Sequence, residues 1–179
     1  MRPDRAVVSF DGFSACVALA SGFLTDPGPG AFPEGIKSKM RDTLEPGIRH
    51  EFRFEIPDSK TVSALYPESP EFQVMPRVFA TGYLVGLIEW TCIQAIAPHI
   101  DWPREQTVGT HFDFGHSAPT PPGCPVTVEV ELIEVEKRRL RFRVCARDDV
   151  GVVSEGVHER FIIDAERFNA KLSSRQRGA

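Results

Sequence analysis

Positive charge is not in surplus in this chain of 179 residues: 21 Lys and Arg stand against 25 Asp and Glu, a formal net charge of −4 at pH 7. General nucleic-acid binders are usually basic, so that class is disfavoured. Aromatics other than phenylalanine are scarce, two Trp and two Tyr beside 13 Phe, which offers no row of base-stacking platforms. Cysteine is sparse as well. Cys16, Cys92, Cys124 and Cys145 lie far apart, with no CxxC pair and no Cys/His cluster. That removes a zinc ribbon, a thioredoxin-type motif and a disulfide scaffold, and the four read as reduced thiols of a cytosolic protein. No stretch approaches the ~18 consecutive apolar residues of a membrane-spanning helix. A Gly-rich phosphate loop, a GxSxG elbow, an HExxH pair and internal repeats are all missing.

What is present suits one globular domain with a real core: 41% of residues are hydrophobic and 26% charged. The N-terminal part stands apart. Phe13 to Leu24 is a short apolar run behind Arg2 and Arg5, but Asp4 and Asp11 spoil the charge pattern of a signal peptide. Residues 25–39 carry three Pro and three Gly and read as linker. Residues 1–39 are therefore expected to be an extension outside the fold or a mis-assigned start, 40–172 the domain, and 173–179 a polar tail.

Within the domain, His50 to Ile56 alternates apolar and polar residues, the pattern of a half-buried strand that Pro57 ends. Residues 59–72 hold two Pro and read as a long loop or short helical turns. Arg77 to Ala97 reads as one helix, closed by Pro98 and apolar almost all round, hence buried. At about 1.5 Å per residue it is roughly 25–30 Å long and needs something large to wrap it. The wrapping follows as strands over Thr107–Gly115, Pro125–Glu134, Leu140–Ala146 and Val152–Asp164, with hairpin-like turns at 136–138 and 147–151. One strand, one long helix and four further antiparallel strands make an α+β hotdog fold, an antiparallel sheet wrapped around a central helix. A sheet covers such a helix on one side only, so pairing into a dimer is expected.

LYPESPEF (65–72), VFATGYLVGLIEWTC (78–92), HSAPTPPG (116–123), GVHERF (156–161) and FNAKL (168–172) together resemble the fluoroacetyl-CoA thioesterase family of hotdog proteins. The resemblance runs from about Met40 to about Leu172. It implies a homodimer that hydrolyses a short acyl-CoA thioester, with CoA part of the substrate and no metal or redox cofactor. The family's catalytic Thr, Glu and His map onto Thr81, Glu89 and His116. Pocket positions map onto Gly109 and Arg160. Two departures stand out: the segment from Glu89 to His116 is one residue longer than the family pattern, and Met75 occupies the place of an aromatic lid residue beside Phe72. The second leaves selectivity for a fluorinated acyl group open.

The residues themselves carry part of this. A carboxylate at Glu89, among Leu87, Ile88 and Trp90, is costly to bury without a partner. Arg160 or Arg143 could be a purely structural partner. Thr81 suits an N-cap, and a helix N-terminus offers free N–H groups and a positive dipole end that would polarise a thioester carbonyl. Thr81 and Glu89 are eight residues apart, roughly 12 Å along a helix. Either the helix starts after Thr81 and the chain folds back, or Glu89 meets Thr81 of a second copy. His116 could move a proton, and Glu89 or Thr81 could be nucleophile or base. Phe72, Met75, Phe79 and Gly82, with Tyr66 and Tyr83, would shape the acyl pocket or simply pack. His111 and Asp113 share a strand face, two ligands too few for a metal site. Arg138, Arg139 and Arg141 would meet CoA phosphates or form a solvated turn. His50, His99 and His158 read as surface or structural residues. The rivals are an acyl-CoA hydratase or dehydratase, for which the Asp/His pair is missing, and a non-catalytic acyl-CoA binding module. No nucleic-acid or membrane partner is implied.

Overall fold

The computed structural model describes residues 40–176. The expected extension 1–39 and the end of the tail lie outside the described residues. Strand β1 (Arg49–Glu55) is followed by two short helices, α1 (Val62–Leu65) and α2 (Pro70–Gln73), then the central helix α3 (Thr81–Ile96). Strands β2 (Glu105–Phe114), β3 (Pro125–Glu136), β4 (Arg139–Arg147) and β5 (Val152–Asp164) follow, and helix α4 (Ala165–Gln176) closes the chain. The five strands form one antiparallel sheet in the order β1-β3-β4-β5-β2. The sheet packs its alternating apolar face on α3, the hotdog arrangement expected from the residue pattern. No described helix is long and apolar enough to cross a membrane.

The core is built by period. Val126, Val128, Val130 and Leu132 of β3 meet Leu140, Phe142, Val144 and Ala146 of β4, all buried, while the intervening charged residues face out. From α3, Leu84, Leu87, Ile88, Cys92, Ala95 and Ile96 complete it. Each Val, Leu, Ile or Phe side chain among these contributes roughly 1.5–3 kcal/mol by leaving water.

Three expectations need correction. The central helix begins at Thr81, not Arg77, because Arg77 and Val78 form a bend and the next two residues are tied elsewhere: Phe79 bridges Thr61, and the Phe79 and Ala80 N–H groups donate to the Thr120 and Lys60 carbonyls. Helix α3 is not buried all round, since Gly82, Gly86 and Trp90 are exposed. Its apolar sequence leaves an open stripe rather than a polar face. Residues 173–176 are not tail but the last turn of α4, whose start the Asp164 carboxylate caps by accepting the Arg167 N–H at 3.1 Å.

Candidate active site

The chain before α3 delivers its first residue to a defined place. Ala80 is the N-cap and makes no side-chain capping bond, so the expected capping role of Thr81 is not what its hydroxyl does. Thr81 Oγ1 lies 2.8 Å from His116 Nδ1. His116 follows the end of β2, and its ring sits edge-on to buried Phe79 at 6.4 Å. Its Nε2 is buried and makes no well-formed hydrogen bond. Burial holds the imidazole below its ordinary pKa, and the Ala118 backbone offsets this only in part. A neutral ring at pH 7 can accept the Thr81 proton. Helical hydrogen bonding starts with Tyr83 and Leu84, both donating to the Ala80 carbonyl, so the Thr81 and Gly82 N–H groups precede it. Gly82 lies beneath Leu65 of α1, where an added Cβ would come within 3.1 Å of Leu65 Cδ1.

A second group of residues lies farther along α3. Arg160 on β5 is buried, with its side chain only 2% exposed, and its Nη1 donates to Glu89 Oε1 at 2.9 Å. Its Nε donates to Thr107 Oγ1 and its Nη2 to the Thr107 carbonyl, both at 2.9 Å. Glu89 Oε2 accepts nothing from the described residues. Gly109 makes room for this pair: a Cβ there would collide with Glu89 Oε1 and reach 2.8 Å from Phe112 Cζ. Arg143, the other partner considered for Glu89, instead donates to Glu131. Within one chain Thr81–His116 and Glu89–Arg160 are therefore separate groups, set about 12 Å apart by eight helical residues.

Two members of the second group were not singled out from the sequence as site residues. Thr107 is one. His158, expected as a surface or structural residue, is the other: it is buried against Arg160, with Nε2 3.1 Å from Nη1 and Nδ1 2.9 Å from the His111 carbonyl. Burial pushes its pKa down to about 4, the His111 carbonyl pulling up and Arg160 pushing further down. An unfolded chain would titrate this histidine near 6.5, so between pH 6.5 and 4 it binds the proton that the fold refuses. The stabilisation is complete above pH 6.5 and is lost as pH falls through 4. Lowering pH from 7 to 4.5 is expected to cost about 2 kcal/mol through His158. Denaturant melts at both pH values, with wild type beside His158→Gln, check this; an equal loss in both proteins contradicts it.

Residues 60–166 match the family described as "Fluoroacetyl-CoA-specific thioesterase". The fluoroacetyl-CoA thioesterase of Streptantibioticus cattleyicolor is 50% identical over 133 residues, which cover 74% of this chain and 95% of that protein. The chain belongs to the fluoroacetyl-CoA-specific thioesterase family. A solved structure of the fluoroacetyl-CoA thioesterase FlK superposes with a TM-score of 0.72 at 50% identity, covering 74% of this chain and 98% of that one. A FlK variant in complex with acetyl-CoA gives 0.72 at 48% identity, with the same coverage.

The remaining candidates fall around the two groups. Phe72 on α2 packs on exposed Tyr66 at 5.7 Å, and Met75 is 48% exposed beyond it. Tyr83 donates its hydroxyl to the Ala64 carbonyl, tying the α1 segment to the start of α3. His111 and Asp113 are exposed, and no group of three or more metal-binding side chains occurs among the described residues. Arg139 pairs with Glu134 and Glu136, Arg141 with Glu134 and Glu159, and Arg138 with Glu105, which favours the charged-turn reading over phosphate contacts for these three.

Proposed function

We propose that this member of the fluoroacetyl-CoA-specific thioesterase family hydrolyses a small acyl-CoA to the free acid and CoA, and does so as a homodimer in the cytoplasm. The observation that carries the reading is the Thr81–His116 hydrogen bond at the first residue of α3. A hydroxyl, a neutral imidazole and unpaired helix N–H groups in one place suit a carbonyl that gains negative charge. The thioester oxygen would take the Thr81 and Gly82 N–H groups, with the Thr81 hydroxyl nearby. Phe72, Met75 and Phe79 would bound the acyl group.

Glu89 supplies the other half. Arg160 holds Oε1, which leaves Oε2 to take a proton from water or to attack the carbonyl. Because Glu89 and Thr81 of one chain stand apart on the same helix, Glu89 would serve Thr81 of a second copy. The open Gly82–Gly86 side of α3 and the edge strand β2 are suitable for that second copy. In the water path, the oxygen of water bonds to the carbonyl carbon as Glu89 takes its proton. The tetrahedral intermediate then expels the thiolate, the C–S bond breaks, and the proton returns to sulfur by way of His116. One water is consumed and no metal is needed.

Thiol release from acetyl-, fluoroacetyl- and aromatic-acyl-CoA tests this. Release is expected from the two small substrates, with the aromatic one slower by at least tenfold. Met75 in place of an aromatic lid residue favours a narrow gap between fluoroacetyl and acetyl. Tight binding of a non-hydrolysable acyl-CoA by calorimetry, without turnover of any thioester, would instead identify a binding module.

A further inference from the structure

We propose that His158 is a positioning residue for the reaction: as a neutral imidazole of one fixed tautomer, it orients Arg160 and through it the Glu89 carboxylate. The inference rests on the thioesterase reading above and assigns a role to a residue that touches no substrate.

The hydrogen bonds leave a single arrangement. The His111 carbonyl can only accept, so Nδ1, at 2.9 Å, carries the proton. In a neutral ring Nε2 is then bare, and Arg160 Nη1, which can only donate, points one N–H at it from 3.1 Å. The other Nη1 hydrogen goes to Glu89 Oε1 at 2.9 Å. Both hydrogens of that nitrogen are therefore committed, and the plane of the guanidinium is set by His158 on one side and Thr107 on the other. A protonated ring would set N–H against N–H beside a buried cation. The charged or titratable groups around the ring are Arg160 on its own strand, Glu89 on α3 and His111 on β2.

The surroundings hold the ring still. His158 is fully buried. Phe112 stacks on it at 4.6 Å with planes 25° apart, and Phe114 meets it edge-on at 6.4 Å. Gly109 leaves the gap: an added Cβ would stand 3.3 Å from His158 Cε1. The β2 register shifts between Gly109 and His111, so the carbonyl that fixes the tautomer lies just past a bulge.

Two substitutions divide the two halves of the ring. Gln at 158 can place its carbonyl oxygen near the Nε2 position and still accept from Arg160. Asn can place its amide nitrogen near Nδ1 and keep the His111 bond, but loses the acceptor. In thiol-release kinetics, His158→Asn is expected to lower kcat by about 10- to 100-fold with KM changed less than threefold. His158→Gln is expected to recover to within fivefold of wild type. Nitrogen NMR of the wild-type imidazole should show the Nδ1–H tautomer. Wild-type rates in His158→Asn, equal losses in both variants, or an Nε2–H tautomer each overturn the proposal. If His158→Asn does not fold, the tautomer and the Gln rate decide. Glu89→Gln runs alongside: no thiol release by the wild type overturns the thioesterase assignment itself, whereas a dead Glu89→Gln beside a fully active His158→Asn overturns only the role of His158.

Discussion

Glu89→Gln is expected to lower kcat for thiol release by two to four orders of magnitude while the protein stays folded. The substitution keeps the volume and keeps an oxygen that can accept from Arg160 Nη1 at the observed 2.9 Å. What it removes is the negative charge and the basic oxygen. Loss of a positioned base or nucleophile typically costs 10²–10⁴-fold, which sets the expected size. On the proposed reading the acyl group is held at the α3 N-terminus and Glu89 acts in the transition state, so KM should change little. Mixing this variant with Thr81→Ala extends the test. If Glu89 serves the second copy, mixed dimers hold one intact site, and activity should reappear when the two dead proteins are unfolded and refolded together. A kcat within threefold of wild type in Glu89→Gln would remove Glu89 from the chemistry and leave its pairing with Arg160 purely structural.

Much of this site was readable in the sequence, for reasons that differ from residue to residue. Glu89 stood out because a carboxylate among Leu87, Ile88 and Trp90 needs a partner, and Arg160 was one of two partners considered. The strands were legible from strict alternation, as in β4, where Leu140, Phe142, Val144 and Ala146 are all buried. The start of α3 was not. Nothing local stops a helix at Arg77; the long-range bonds of Phe79 and Ala80 to Thr120 and Lys60 do, and these join segments far apart in the chain. Thr107 and His158 were missed for a related reason. Each looks like an ordinary strand residue until the pairing of β2 with β5 puts both beside Arg160. The Asp164 cap of α4 was a local signal that went unread.

Arg160→Met should be the most destabilising single change in the site. The guanidinium is 2% exposed and makes contacts to Glu89, His158 and both the side chain and carbonyl of Thr107. Methionine fills a similar volume, so the loss is one of polar partners and not of packing. Breaking a buried ion pair from one side costs roughly 3–5 kcal/mol, because the partner's charge stays behind uncompensated. For a domain of this size that is a fall in Tm of about 10–15 °C. Glu89 is the group left behind, and it is about one-third exposed, which places the expected loss near the lower end. The double variant Arg160→Met with Glu89→Gln then discriminates. If the pair is retained to hold a carboxylate in position, removing both charges should restore part of the lost stability while thiol release stays absent, a coupling energy measurable by the four-member cycle. If the double variant is as unstable as the sum of the two singles, Arg160 acts through Thr107 and His158, and Glu89 contributes nothing to its stability. The first outcome means that the buried cation costs stability for the sake of geometry. It would explain why a charged residue sits in β5 between buried His158 and Ile162, on a strand face that would otherwise accept an aliphatic side chain.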